Sequence, residues 1–138
     1  MSADDVTVLC AWCAQREFEG CEFHTNVPVG EVPEGADCYT RWFGDSYCKD
    51  LYARRIDALL IADSQWTVIE AKPEGSAAAL GQVKMYAFML RELVPDRATI
   101  TPMVCCQYVH SDLYAFYRDQ GVELAEVGMC LSATHGIT

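Results

Sequence analysis

Residues 53–72 read "ARRIDALLIADSQWTVIEAK", two apolar runs broken only at Asp63-Ser64. That pair is turn-prone, and the runs on either side are rich in β-branched and aliphatic residues, so the segment is expected to fold as a two-stranded antiparallel hairpin. A two-residue turn there sets a register in which partner numbers sum to about 127, opposing Asp57 to Glu70, Leu59 to Val68 and Ile61 to Trp66. Alternation along the strands then gives Asp57, Glu70 and Lys72 one face, with Ile56, Ala58, Leu60, Thr67, Ile69 and Ala71 on the other. Both faces are mostly apolar, as in strands covered on both sides. The charges are therefore the anomaly. Two opposed carboxylates repel, and partial burial raises the cost.

A divalent cation removes that conflict, because carboxylates, a backbone carbonyl and water suit Mg²⁺ or Mn²⁺. Lys72 stands about 7 Å along the strand from Glu70, close enough to assist water or neutralise a phosphate. The bland alternative is an Asp–Lys or Glu–Lys ion pair at the rim of a sheet. Pro73 is expected to end the strand.

Ser76 is an N-cap candidate for a helix over 77–93, whose Leu80, Val83, Ala87, Leu90 and Val94 recur at helical spacing. Residues 98–109 read as a strand, 111–120 as a short helix capped by Ser111 or Asp112, and 122–127 as a last strand. Upstream, "CYTRWFG" (38–44) reads as a strand, 24–37 as loop, and "VTVLCAW" (6–12) as a strand or the start of a helix. Nothing divides the chain, so 1–138 is expected to be one domain, with a core over about 38–128 and a cysteine-bearing segment and loop before it. The stripe Tyr108, Tyr114, Phe116 and Tyr117 is expected in the core.

The net charge of −10 argues against a protein that coats nucleic acid by bulk electrostatics. Five of the ten basic residues, Arg54, Arg55, Lys72, Lys84 and Arg91, nevertheless surround the hairpin motif. No run is long enough to cross a bilayer, and "MSADDVTVL" is unlike a signal peptide, so a cytoplasmic chain without membrane contact is expected.

The "ID" at 56–57, the "EAK" at 70–72 and the "GQVKMY" at 81–86 together resemble the PD-(D/E)XK nuclease superfamily, in the branch that adds a QxxxY motif to the following helix. The likeness covers roughly residues 38–110. It implies an α/β, restriction-endonuclease-like core: a central mixed sheet of about four to five strands flanked by helices. It implies a Mg²⁺- or Mn²⁺-dependent endonuclease or exonuclease acting on DNA, with a homodimer left open. Asp57, Glu70 and the Ala71 carbonyl would hold the metal, Lys72 would be the catalytic lysine, and Gln82 and Tyr86 would orient the site or contact DNA. The family's assisting glutamate on a preceding helix has Glu17 and Glu19 as candidates here. Ile56 replaces the proline usual before the aspartate, a change the branch tolerates. Two rivals stand beside this reading: the same fold as an inactive DNA-binding or scaffold module, and a CxxC protein that binds zinc or exchanges thiols.

The last rival rests on the eight cysteines. Cys10, Cys13, Cys21 and His24 have the spacing C-x2-C-x7-C-x2-H, which suits a structural Zn²⁺, a disulfide, or simple burial of small residues. The iron–sulfur pattern of some relatives needs cysteines on both sides of the core, and Cys130 alone lies near the end. Cys105 and Cys106 are expected to pack on opposite faces of one strand. His24, His110 and His135 lie far apart and lack a catalytic neighbour.

Overall fold

A computed structural model describes residues 1–29 and 54–128. The predicted hairpin is its centre. Strand β2 (Arg54–Ala62) and strand β3 (Gln65–Glu74) pair antiparallel from Ala58–Ile69 to Ala62–Gln65, the predicted register. Asp63 adopts a left-handed φ of 55°, which short polar side chains tolerate best after glycine. Strand β1 (Glu22–Val29) adds antiparallel to β2, while β4 (Thr99–Tyr108) and β5 (Glu123–Glu126) follow β3 in parallel. Among the described residues the result is one mixed five-stranded sheet in the order β1-β2-β3-β4-β5.

Three helices among the described residues cover the sheet. Helix α2 (Ala77–Arg91) starts at Ser76, whose hydroxyl accepts from the Ala79 N–H at 3.1 Å as expected. It buries Ala79, Leu80, Val83, Tyr86 and Leu90 against Leu59, Val68, Val104 and Cys106. After a 3₁₀ turn at Ser111–Leu113, the short helix α3 (Tyr114–Asp119) adds Tyr117 to that layer. Helix α1 (Ala3–Ala14) covers the other face, setting Val8, Leu9 and Trp12 on Ala58, Ile69, Ala71, Met103 and Cys105. Cys105 and Cys106 thus point to opposite layers, as the alternation of a strand requires.

Of the two readings of residues 6–12, strand or the start of a helix, the helix holds, because Ser2 and Asp5 form a reciprocal capping box, with bonds of 3.1 and 2.9 Å, and the sheet covers the apolar stripe of α1. Several other expectations are corrected. Residues 24–29 are strand rather than loop: β1 lies outermost and mostly exposed, where polar residues and Pro28 are tolerated. The core therefore begins well before residue 38. Pro73 does not end β3, because the register passes from Lys72–Cys106 to Glu74–Tyr108 and asks no N–H of it. Neither Ser111 nor Asp112 caps a helix with its side chain. Of the aromatic stripe only Tyr117 is buried, while Tyr108, Tyr114 and Phe116 lie at the surface. The strand expected over 38–44, along with Cys38, Cys48, Cys130 and His135, lies outside the described residues.

Two glycines give a paired test of this packing. A Cβ at Gly75, where β3 turns into α2, would meet Cys106 Sγ at 3.1 Å and Val109 Cβ at 3.2 Å, whereas one at Gly81 in α2 meets nothing. Gly75→Ala should therefore cost about 1–3 kcal/mol from overpacking. Gly81→Ala should add about 0.5–1 kcal/mol of helix stability. Denaturant titration of both variants checks the opposite signs.

Candidate active site

The site begins where the β2–β3 ladder stops. Continuing the register beyond Ala58–Ile69 brings Asp57 opposite Glu70, but the two strands no longer pair there. Asp57 takes over the lost bond: its Oδ2 accepts from the Ala71 N–H at 2.9 Å. On the other side of β2, Asp57 is also skipped between the Ala58–Thr25 and Ile56–Val27 pairs, where Asn26 turns left-handed at φ 52°. One consequence departs from simple alternation, since Ile56 joins the α2-side core instead of the α1 side expected of it. The interruption makes Asp57 a side-chain acceptor in a place where strands offer backbone acceptors.

Glu70 is the costly residue. It is 1% exposed, and both of its carboxylate oxygens are buried without a hydrogen-bond partner. Burial, and then the charge of Asp57, push its pKa up to about 8. A buried unpaired carboxylate costs several kcal/mol, more than the roughly 1.5–3 kcal/mol an aliphatic side chain would contribute by burial at the same place. Packing alone gives no reason for the residue. It must hold a proton or meet a cation.

Lys72 supplies part of the answer from two residues further along β3. Its ammonium donates to Asp5 Oδ2 at 3.3 Å and lies 4.0 Å from Glu70 Oε2. Partial burial disfavours its charge, but Asp5, Glu70 and Asp57 outweigh that and hold its pKa above the ordinary lysine value. Asp5 is itself buried; desolvation is opposed by its bonds to Ser2 and by the Lys72 charge, which leave it below the usual carboxylate range. Asp5, not Glu17 or Glu19, is thus the acid that α1 brings to the site. Both glutamates are exposed in the turn after α1, and among the described residues neither bonds to Asp57, Glu70 or Lys72.

Gln82 and Tyr86 meet on α2, where Gln82 Nε2 donates to Tyr86 Oη at 3.0 Å. Tyr86 is buried in the core, and Gln82 lines a cleft of about 320 Å³ with Lys72, Glu74 and Ser76. Lys72 therefore links the cleft to the buried acids Asp5 and Glu70, which do not line it. Two larger clefts, one beside α3 and β5 and one between α1 and β1, contain neither Asp57 nor Glu70. Charge, not volume, locates the site.

The surrounding basic residues are largely engaged elsewhere. Arg55 donates to the Asn26 carbonyl, Lys84 to Gln120, and Arg91 to the Ala98 and Pro95 carbonyls. The zinc set is not assembled: Cys10, Cys13 and Cys21 are free thiols, and His24 sits 3.3 Å from Glu22 on β1. Among the described residues no three His, Cys, Asp or Glu side chains form a ready metal cluster. Burial, and then Cys10, push the Cys13 thiol up, the reverse of what a thiol-exchange centre needs.

Comparison with family models, with characterised proteins and with solved structures finds no match.

The raised Glu70 pKa makes a signed prediction for the metal-free protein. Between the ordinary value of 4.5 and about 8, the folded state holds a proton that the unfolded state has lost. Stability should therefore be greatest near the acid end of that window and fall as pH rises through it. Glu70→Gln should flatten this slope and raise the melting temperature at pH 8 by several degrees. Thermal melts in chelator from pH 5 to 9 check it, and identical slopes for the two proteins would remove the buried-acid account.

Proposed function

We propose that the chain is a metal-dependent deoxyribonuclease of the PD-(D/E)XK kind, cleaving DNA phosphodiester bonds. One observation carries this reading: the two oxygens of buried Glu70 have no hydrogen-bond partner and only the Lys72 ammonium, 4.0 Å from Oε2, as counter-charge, beside an Asp57 whose position is fixed by a strand break. Orphaned carboxylate oxygens next to a second acid suit a hard divalent cation, and Mg²⁺ or Mn²⁺ accepts such all-oxygen donors. Asp57, Glu70 and the Ala71 carbonyl would hold the ion, which when bound supplies Lewis-acid polarisation of the phosphate and a nucleophile at neutral pH.

The chain's own groups have separable tasks. Asp57 is oriented by the Ala71 N–H, so one of its oxygens is committed to the fold. Asp5 holds the Lys72 ammonium beside the cleft and keeps it charged. Lys72 then offers a fixed positive charge to the phosphate as negative charge grows on it, an interaction that favours the transition state over the bound substrate. Gln82, oriented by Tyr86, faces the same cleft and can donate to a phosphate or base.

The rival with a footing in the same geometry is an inactive DNA-binding or scaffold module. On that reading Lys72 and Asp5 are an ion pair that only ties α1 to β3.

The test measures rate and stability on the same variants with plasmid or linear DNA. Asp57→Asn and Glu70→Gln should abolish Mg²⁺- or Mn²⁺-dependent cleavage while the fold survives. Lys72→Ala should retain Mn²⁺ and DNA binding yet lose about a hundredfold or more in kcat, as when other electrostatic stabilisers are removed. Lys72→Arg should rescue little, because a planar guanidinium does not replace a compact ammonium. Turnover per folded molecule unchanged in Lys72→Ala, with only the melting temperature lowered, would reduce Lys72 to a structural ion-pair partner, and a folded wild type that fails to cleave DNA in either Mg²⁺ or Mn²⁺ would establish the inactive module. Wild-type cleavage at full rate in excess chelator would end the metal assignment.

A further inference from the structure

Two exposed tyrosines are in an unusual state: Tyr108 is bonded to the Glu74 that lines the Lys72 cleft, and Tyr114 lines the cleft beside α3 and β5. Exposed tyrosines ordinarily leave their hydroxyls to water, but here both are tied to carboxylates of the sheet. Tyr108 Oη donates to Glu74 Oε1 at 3.2 Å, and Tyr114 Oη donates to Glu126 Oε1 at 2.7 Å. The same Glu126 accepts from the Val109 N–H at 3.1 Å, so Tyr114 is fastened to the residue after Tyr108. These carboxylate bonds also hold both phenols above their usual pKa, keeping the rings neutral. Each tyrosine is nevertheless more than two-fifths exposed, at 44% and 41%. The rings are held still and left open.

Their place in the register matters. Lys72 pairs with Cys106 and Glu74 with Tyr108, so Tyr108 stands one alternation step beyond the catalytic lysine, on its side of the sheet. Glu74 lines the cleft shared by Lys72 and Gln82 and also anchors Tyr108. Tyr108 thus lies about two strand residues, or about 6–7 Å, along the sheet from the level of Lys72, within reach of the nucleotide next to one whose phosphate would lie at Lys72. Glu74 and Glu126 make this side of the site acidic, which disfavours phosphates and leaves it to neutral bases. A duplex hides its base faces in the stack, so only unpaired bases can use such a surface.

We propose that Tyr108, supported by Tyr114, is a stacking surface for an unpaired base beside the scissile phosphate, which makes the preferred substrate single-stranded DNA or a frayed end. The proposal rests on the nuclease reading for the position of the phosphate. Tyrosines fixed in advance lose little entropy on binding, which suits them to this use.

The test separates stacking from both architecture and catalysis. Binding is measured in Ca²⁺ without turnover, by anisotropy of a fluorescent ten-nucleotide single strand and of the same sequence as a duplex. A 2-aminopurine placed in the single strand reports stacking directly by quenching. Tyr108→Ala should weaken single-strand binding roughly 5- to 100-fold and relieve the quenching, while duplex affinity changes little. Tyr108→Phe, which keeps the ring and removes the bond to Glu74, should retain most of the affinity. Tyr114→Ala should have a smaller effect in the same direction. Cleavage in Mn²⁺ is followed separately on both substrates. Equal single-strand affinity for wild type and Tyr108→Ala, in a wild type that does cut DNA, overturns the stacking proposal and leaves the nuclease standing. A Tyr108→Phe loss as large as that of Tyr108→Ala also overturns it, because the hydroxyl bond and not the ring would then be what counts. A wild type that stacks 2-aminopurine but never cleaves would support the surface and refute the nuclease.

Discussion

The bond from the Ala71 N–H to Asp57 is the constraint on which the rest of the site depends. A ladder that ran one step further would pair backbone with backbone and press two carboxylates together with nothing between them. By ending the pairing at Ala58–Ile69 and filling the vacancy with a side chain, the hairpin opens a gap at its end without orphaning an amide. The gap leaves the Ala71 carbonyl, the Glu70 carboxylate and the remaining Asp57 oxygen to other uses. Pairing is interrupted on both sides of Asp57, with Asn26 left-handed opposite it, so the irregularity extends across three strands.

Around that gap, two layers contribute different things. The α2 layer is a tightly packed apolar cluster that fixes Tyr86 and through it Gln82. The α1 layer brings a buried carboxylate, Asp5, to a lysine that would otherwise swing freely. The acid is shared, since the same Oδ2 accepts from the Ser2 N–H and from Lys72. Helix capping and lysine placement are therefore one interaction, and disturbing the first turn of α1 disturbs both.

What was legible in the sequence follows from how local each determinant is. A two-residue turn between β-rich runs fixes a register by itself, so the approach of Asp57 to Glu70 could be read directly from the spacing. Helix α2 announces itself through Ser76 and a regular apolar face. Helix α1 does not: Val6, Thr7 and Val8 favour strands, and only the Ser2–Asp5 box and burial of Val8, Leu9 and Trp12 on the sheet decide for helix. Strand β1 was hidden for the opposite reason, because an outermost strand needs pairing more than hydrophobicity, and its polar residues and proline imitate a loop. Asp5 could not be found at all by spacing. It lies 67 residues from Lys72 and meets it only when α1 docks. The exposure of Tyr108, Tyr114 and Phe116 is not legible in the sequence, because aromatic spacing carries no information about which side a strand end or a short helix turns to water.

The parallel pairing of β3 with β4 also has a consequence for the order in which the chain is built. The β2–β3 hairpin closes over two residues and is the cheapest long element to form, whereas β4 reaches β3 only after α2 has crossed over, and α1 must return from the far end of the sequence. Glu70 is thus born on an early hairpin while still hydrated, and loses its water only as the later elements close over it. The desolvation of that charge therefore belongs to the closing of the later elements, and a divalent ion or a proton captured by Glu70 would slow unfolding more than it speeds refolding.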